Sequence, residues 1–77
     1  MLTEKQIYNR LNKVYQIEFG DKDEDEWYAD DDPRVWRFHR PSEKTTYKLL
    51  LNEERKRINL YYKKDNQEYR FCGCHSY

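Results

Sequence analysis

The segment TTYKLLLNEERKRINLYYKK, residues 45–64, decides the predicted fold. Apolar and polar residues alternate in both of its halves, which is the pattern of strands with one buried face. If residues 52–55 form a four-residue turn, Leu49 lies opposite Ile58. The segment therefore predicts a β-hairpin whose apolar residues share one face.

A long helix over residues 42–63 is the alternative, because several apolar residues of this segment also recur at helical spacing. Glu54 would interrupt the apolar stripe of that helix, and Thr45 and Asn59 are poor helix formers. We therefore favour the hairpin.

The same alternation continues on both sides of the hairpin and extends it to an antiparallel meander. The predicted strands cover residues 35–39, 44–51, 56–63 and 68–73. The pairs predicted across the two outer connections are Trp36 with Tyr47, Leu60 with Phe71 and Tyr62 with Tyr69. One face then carries these apolar residues: Trp36, Phe38, Tyr47, Leu49, Leu51, Ile58, Leu60, Tyr62, Tyr69 and Phe71.

The N-terminal residues carry the signals of a helix over residues 4–18. Thr3 and Gln6 have the spacing of a capping box, and Gly20 is a typical stop. The apolar residues expected to form one buried stripe are Ile7, Leu11, Val14 and Tyr15. We therefore predict an α+β fold in which one N-terminal helix packs on a four-stranded antiparallel β-meander, with an acidic loop over residues 20–33.

The size and composition of the chain predict one small domain over residues 1–77. Because 36% of the residues are apolar and 17% are aromatic, we expect a thin aromatic core worth ~3 to 5 kcal/mol net. A partner or a second copy in a homodimer could add to that stability. Leu2 is followed by charged and polar residues, without the apolar run of a signal peptide or a membrane span. The expected location is therefore the cytoplasm, with no membrane contact.

The formal net charge is zero, but the charges are divided along the chain. Residues 1–33 contain four Lys or Arg and ten Asp or Glu, while residues 34–77 contain eleven and five. The negative charge is concentrated in DKDEDEWYADDD, residues 21–32, where eight carboxylates surround a Trp-Tyr pair. Such asymmetry predicts an interaction surface, either between the two halves or with another molecule.

Calcium binding is a minor alternative for this segment. Asp21, Asp23 and Asp25 match the opening of an EF-hand loop. Glu26 stands where that loop requires glycine, and Pro33 follows where the exiting helix should begin. No metal site and no cofactor are therefore predicted.

Two other interpretations need no partner. The segment is a solvated loop, which is the usual meaning of a run of charge, or it folds back and neutralises the basic strands. Trp27 and Tyr28 argue against a loop that never orders, because large aromatic residues are uncommon in disordered segments.

The remaining interpretation is mimicry of a nucleic acid. In an extended chain the eight carboxylates would be spaced about every 5 Å, and in a helix about every 2.3 Å, against one charge per ~1.7 Å of duplex DNA. A basic groove built for nucleic acid would attract such a segment, and the two aromatic residues would anchor it. The residues predicted to bind this partner are Asp23, Asp25, Glu26, Trp27, Tyr28, Asp30, Asp31 and Asp32.

In size and charge layout, the chain resembles the small acidic proteins by which phages and mobile elements inhibit nucleic-acid-handling machinery, such as the DNA-mimic anti-restriction and anti-CRISPR inhibitors. The resemblance has no motif and no residue correspondence. It implies a non-enzymatic inhibitor that binds a basic nucleic-acid-binding protein.

A second hypothesis concerns the outer face of the predicted sheet. That face is expected to carry Arg37, His39, Lys48, Arg57, Asn59, Tyr61, Lys63, Arg70 and Cys72. Direct nucleic-acid binding would use Arg37, Lys48, Arg57, Tyr61 and Arg70 for phosphate contacts and base stacking. An ordinary solvated face explains the same pattern, and we favour it because the sequence pI is 6.7 rather than above ~9.

No catalytic motif is present, and we predict that the protein is not an enzyme. The C-terminal residues Cys72, Cys74 and His75 are of types that can bind a metal ion, and the two cysteines could also act as a dithiol. Their spacing is shorter than that of structural zinc sites, so we interpret both cysteines as plain reduced thiols.

Overall fold

The protein, described over residues 1–77 by a computed structural model, consists of one α-helix and a five-stranded antiparallel sheet. The elements are α1 (Glu4–Phe19), β1 (Glu26–Tyr28), β2 (Val35–Arg40), a 3₁₀ turn (Pro41–Glu43), β3 (Thr45–Asn52), β4 (Arg57–Lys64) and β5 (Arg70–Ser76). The strands lie in chain order across the sheet. The predicted α+β class is confirmed, but the prediction of four strands is wrong, because β1 forms within the segment expected to be a loop.

Helix α1 begins and ends at the predicted signals. The hydroxyl of Thr3 accepts from the Gln6 backbone N–H at 3.2 Å, and the Gln6 side chain accepts from the Thr3 backbone N–H at 2.9 Å. Gly20 has φ +65°, which favours glycine, and its N–H donates to the Gln16 carbonyl. Each end of α1 is therefore capped by residues next to it in the sequence.

The core lies between α1 and the inner face of the sheet. It contains nine buried apolar residues: Ile7, Leu11, Val14, Tyr15, Phe38, Leu49, Leu51, Ile58 and Leu60. Each such side chain contributes roughly 1.5–3 kcal/mol when fully buried. The edge of β1 and β2 lies at one side of the helix, where Trp36 contacts Tyr8, and β5 lies at the other, where His75 contacts Glu18.

The register of the central hairpin differs from the prediction by two residues. Leu49 pairs with Leu60 and Leu51 with Ile58, because the four-residue turn covers residues 53–56 instead of 52–55. Trp36 pairs likewise with Leu49 instead of Tyr47. A shift of two leaves every side chain on its predicted face, since the period of a strand is two.

The register of strand β5 up to Phe71 differs from the prediction by one residue. A shift of one places the side chains of this part of the strand on the opposite face. The turn after β4 has Asn66 at φ +66°, and Arg70 pairs with Tyr62. A β-bulge then makes Cys72 the extra residue between Phe71 and Gly73.

The predicted positions of three residues are wrong as a result. Phe71, expected in the core, is 61% exposed and lies against Tyr61 on the outer face, and Tyr69 contacts Lys48 on the same face. Arg70, expected on the outer face, moves by register to the face of Tyr62. The hairpin connection has one more residue than the predicted two-residue turn, and a slip of one reverses the faces.

Candidate functional site

The acidic segment, residues 21–32, is built into the sheet through β1. Trp27 pairs with Phe38 of β2, and Tyr28 pairs with Arg37. The side chain of Trp27 points to the helix side, where its ring centre lies 4.8 Å from that of Phe38 and 5.0 Å from that of Tyr15. Tyr28 faces the other way and lies over Arg37. The Trp-Tyr pair therefore fixes the segment to both faces of the sheet edge.

Asp25 forms a buried ion pair with Arg40 at the end of β2. The Arg40 guanidinium donates to both carboxylate oxygens at 2.8 and 2.9 Å, and the two side chains are 4% and 1% exposed. The Tyr15 hydroxyl donates to the same carboxylate at 2.6 Å, and Arg40 also donates to the last carbonyl of α1 at Phe19. Asp25 thus connects the acidic segment, the helix and the sheet.

The protonation of this cluster follows from its contacts. Burial raises the pKa of Asp25, but hydrogen bonds from Arg40 and Tyr15 outweigh it and leave the pKa below its ordinary value. Burial and the hydrogen bond to Asp25 raise the pKa of Tyr15 to about 12. The hydrogen bond to Asp25 raises the pKa of Arg40. Asp25 was predicted to mimic a phosphate, but in this structure its carboxylate is buried and paired with Arg40.

Several other carboxylates of the segment are paired at the surface. Asp30 accepts from Arg37 at 2.7 Å, and Asp32 caps the backbone N–H of Arg34 at 2.9 Å while its carboxylate lies 3.6 Å from the Arg34 guanidinium. Glu26 lies 3.2 Å from a ring nitrogen of His39. The acidic segment therefore neutralises part of the basic half of the chain, as one of the interpretations of the sequence expected.

Three carboxylates of the segment have no such partner. Asp21, Asp23 and Asp31 are exposed and form neither a side-chain hydrogen bond nor an ion pair. Their neighbours Glu26 and Asp32 are paired but remain more than half exposed as side chains. This set, which we call the unpaired aspartates (Asp21, Asp23 and Asp31), is the part of the segment that an outside molecule can reach.

An aromatic groove of about 480 Å³ lies between α1 and the β1–β2 edge, and Asp21 is the one unpaired aspartate in its lining. Its lining residues are Tyr8, Asn12, Tyr15, Gln16, Asp21, Trp27, Tyr28, Asp30, Asp32, Pro33, Val35 and Trp36. Three of them are aspartates, and none is Lys, Arg or His. The groove is therefore apolar in its walls and negative at its rim.

The rings of the aromatic groove meet at steep angles. Trp27 and Trp36 have ring centres 5.4 Å apart with their planes at 88°, and Tyr8 meets Trp36 at 61°. Trp27 and Tyr28 are both 47% exposed, so much ring surface stays in contact with water. Sequence reasoning missed Tyr8, Asp21 and Trp36 as groove residues. The seven-residue spacing of Tyr8 and Tyr15, which puts them on one side of a helix, was the available signal.

The outer face of the sheet carries a second group of aromatic and basic residues. The Lys48 ammonium lies 4.9 Å from the ring centre of Tyr61 and 4.4 Å from that of Tyr69. Arg37 lies next to Lys48 by register, and Arg57 lies at the far end of β4 opposite Ser76. Of the residues predicted to bind nucleic acid, the structure brings Arg37, Lys48 and Tyr61 together, leaves Arg57 apart and moves Arg70 to the other face.

His39 holds the acidic edge to this outer face. Its two ring nitrogens lie 3.2 Å from carboxylate oxygens of Glu26 and of Asp65. The hydrogen bond to Glu26 and the one to Asp65 raise the pKa of His39. Both contacts are exposed, so water and salt weaken them.

The C-terminal thiols do not form a metal centre. Cys72 and Cys74 are free and exposed, and His75 lies 2.5 Å from a Glu18 oxygen instead of beside them. No three His, Cys, Asp or Glu side chains are arranged to hold a metal ion, and Asp25 of the EF-hand-like triplet is occupied by Arg40.

Two further findings concern membrane crossing and similarity to known proteins. Helix α1 lacks the length and the apolar character needed to cross a membrane. Searches against protein-family models, curated proteins and solved structures find no match to the chain.

Proposed function

We propose that the protein is a non-enzymatic interaction module that docks on a basic, nucleic-acid-binding surface of another protein. The observation that carries the proposal is the position of the unpaired Asp21 in the lining of the aromatic groove, with the exposed Asp23 and Asp31 in the same acidic segment. Charge and apolar surface lie together there, because Asp30 and Asp32 of the lining are paired with Arg37 and Arg34 but Asp21 has no cation partner. A phosphate-binding surface on a partner has the complementary charge.

The two parts of this surface act on different steps of binding. Unpaired carboxylates attract a basic partner through solvent and raise the association rate. Half-exposed Trp27 and Tyr28 supply apolar area that is buried on contact and slows dissociation. A protein that covers a nucleic-acid-binding groove in this way is an inhibitor by nucleic-acid mimicry, and Asp21 and Asp23 take the place of the buried Asp25 in that role.

Affinity capture from a nuclease-treated lysate tests the proposal. The wild-type protein is compared with a variant in which Asp21, Asp23 and Asp31 are all replaced by Asn. We expect the wild type to retain basic nucleic-acid-binding proteins at low salt and to release them as the salt concentration rises, because the contact is charge-led. We expect the triple variant to lose most of this retention.

The matched control replaces Glu4, Glu54 and Glu68 by Gln. These three residues are also exposed and form no ion pair, but they lie outside the acidic segment. The control variant should capture as the wild type does. Equal loss in both variants would contradict the proposal, since net charge alone would then explain retention.

Single-stranded nucleic acid is a second candidate ligand, and it would bind the outer face. The observation in its favour is the displacement of Tyr69 and Phe71 onto that face beside Lys48 and Tyr61. Aromatic rings with neighbouring cations are the elements that hold single strands, at ~1–3 kcal/mol per stacked base.

Anisotropy of a fluorescent single-stranded oligonucleotide tests this candidate. Phe71→Ala should weaken binding about fivefold or more, whereas Ile17→Ala on the outward side of α1 should not. Phe71 and Ile17 are 61% and 63% exposed, so the two variants are matched in the exposure of the residue that is removed. Absence of binding by the wild type at low salt would exclude the outer face as a nucleic-acid site.

A further inference from the structure

The aromatic groove has the composition of a site for an organic cation. Its aromatic walls are formed by Tyr8, Tyr15, Trp27 and Trp36, and Tyr28, whose ring lies over Arg37 on the outer face, borders it. The aromatic ring that attracts a cation most strongly is that of tryptophan, and both tryptophans of the chain are in these walls.

The carboxylates of the groove differ in whether a cation is already paired with them. Asp30 is already paired with Arg37 and Asp32 with Arg34, whereas Asp21 has no partner. A cation that enters the groove therefore finds one free carboxylate at the rim and aromatic rings beside it. A neutral or anionic group finds no cationic donor in the lining, whose donor side chains are phenols, indoles and the amides of Asn12 and Gln16.

Contacts inside the chain show which cation suits a carboxylate beside an aromatic ring. Arg40 is paired with Asp25 while its guanidinium lies 5.5 Å from the ring centre of Phe38 and 5.8 Å from that of Tyr47. Arg37 is paired with Asp30 and lies 5.2 Å from the ring centre of Tyr28. A planar guanidinium can stack on a ring and bind a carboxylate with two hydrogen bonds, which an ammonium cannot do.

We propose that the aromatic groove binds an arginine side chain presented by the basic partner, with Asp21 as its carboxylate and Trp27 and Trp36 as its aromatic contacts. The proposal rests on the proposed function and names the group that is recognised. The groove volume of about 480 Å³ is sufficient for one arginine side chain.

The test uses the peptide acetyl-Gly-Gly-Arg-Gly-Gly-amide as the probe and the intrinsic tryptophan fluorescence of the full chain as the readout. Because both tryptophans line the groove, occupation should change the emission in a saturable way. The same peptide with citrulline, which keeps the shape and loses the charge, should bind about tenfold more weakly. The lysine peptide should bind with intermediate strength.

Two matched pairs of variants locate the site. Asp21→Asn should weaken arginine-peptide binding about fivefold, while Glu54→Gln, which removes the same charge outside the groove and outside the acidic segment, should leave it within about twofold. Tyr8→Ala should weaken binding, while Ile17→Ala on the same helix should not. All four side chains are exposed, and folding of each variant is checked by circular dichroism.

Several outcomes would overturn the arginine site. They are the absence of a saturable change up to about 20 mM peptide, equal binding of the citrulline peptide, and equal effects of Asp21→Asn and Glu54→Gln. A dimer that shields both tryptophans without peptide would also overturn it, because a second copy would then fill the groove. The proposed function fails separately: capture that depends on the unpaired aspartates would survive the failure of the arginine site.

Discussion

Asp23 and Asp25 lie two residues apart in the same acidic segment, yet one is in solvent and the other is in the core of the molecule. The Asp25 carboxylate is 1% exposed and is held by Arg40 and Tyr15, whereas Asp23 is exposed and has no side-chain partner. The difference shows that a run of acidic residues is not one functional unit. What distinguishes Asp25 from Asp23 is that Arg40 of the next strand lies within reach of its carboxylate.

The largest expected effect comes from Arg40→Met. This change leaves Asp25 buried without its cation, and we expect a loss of about 3–5 kcal/mol in the free energy of unfolding, measured by urea denaturation. The double variant with Asp25→Asn and Arg40→Met should recover a large part of that loss, because no unpaired buried charge remains. A loss below about 1 kcal/mol for Arg40→Met would mean that the pair is solvated and worth no more than a surface pair.

Acid should break the same ion pair. Because the pKa of Asp25 is lowered in the folded protein, its contribution to stability is present above the ordinary value of 3.8 and is lost as the pH falls below it, through the folded pKa. Urea denaturation from pH 6 to pH 2 should therefore show a steeper loss in the wild type than in the Asp25→Asn, Arg40→Met double variant. Parallel curves for the two proteins would contradict this assignment.

Trp27 and Tyr28 allow a comparison at equal exposure, since both are 47% exposed. Trp27 packs on Phe38 and Tyr15, whereas Tyr28 contacts Arg37 on the outer face. We expect Trp27→Ala to lower the free energy of unfolding by about 1–2 kcal/mol and Tyr28→Ala by less than about 1 kcal/mol, measured by urea denaturation. The reverse order would show that the outer face holds β1 in place.

A small effect is expected from Asp30→Asn, which removes the partner of Arg37. Both side chains are partly exposed, so the pair contributes about 0–1 kcal/mol to the free energy of unfolding. Urea denaturation in low and high salt should show that even this difference shrinks as salt is added. A loss that is as large as that of Arg40→Met would place the Asp30 pair among the buried contacts.

Much of the fold could be predicted because the helix-capping residues and the spacing of apolar residues indicate the same elements. Thr3, Gln6 and Gly20 define the helix ends by their own side chains and backbone, and the two-residue period assigns the core residues of β2 to β4 to the correct face. These features depend on neighbours in the sequence, so the sequence alone is sufficient.

The rest depends on contacts that are distant in the sequence. The bulge at Cys72 adds one residue, and the neighbouring Gly73, which is a local signal for a bulge, does not say which residue is the extra one. Strand β1 has only three residues among carboxylates, and the burial of Asp25 requires Arg40, which lies fifteen residues further along the chain. A signal for β1 was nevertheless present in two aromatic stretches separated by Asp30 to Pro33, which are turn-forming residues.

The most direct test of the division within the acidic segment compares Asp25→Asn with Asp23→Asn by urea denaturation at pH 7. Both changes remove one negative charge, from positions two residues apart. The buried pair predicts a loss of about 3–5 kcal/mol for Asp25→Asn and a change within about 0.5 kcal/mol for Asp23→Asn. Equal losses for the two variants would contradict the division of the segment into folding and binding carboxylates.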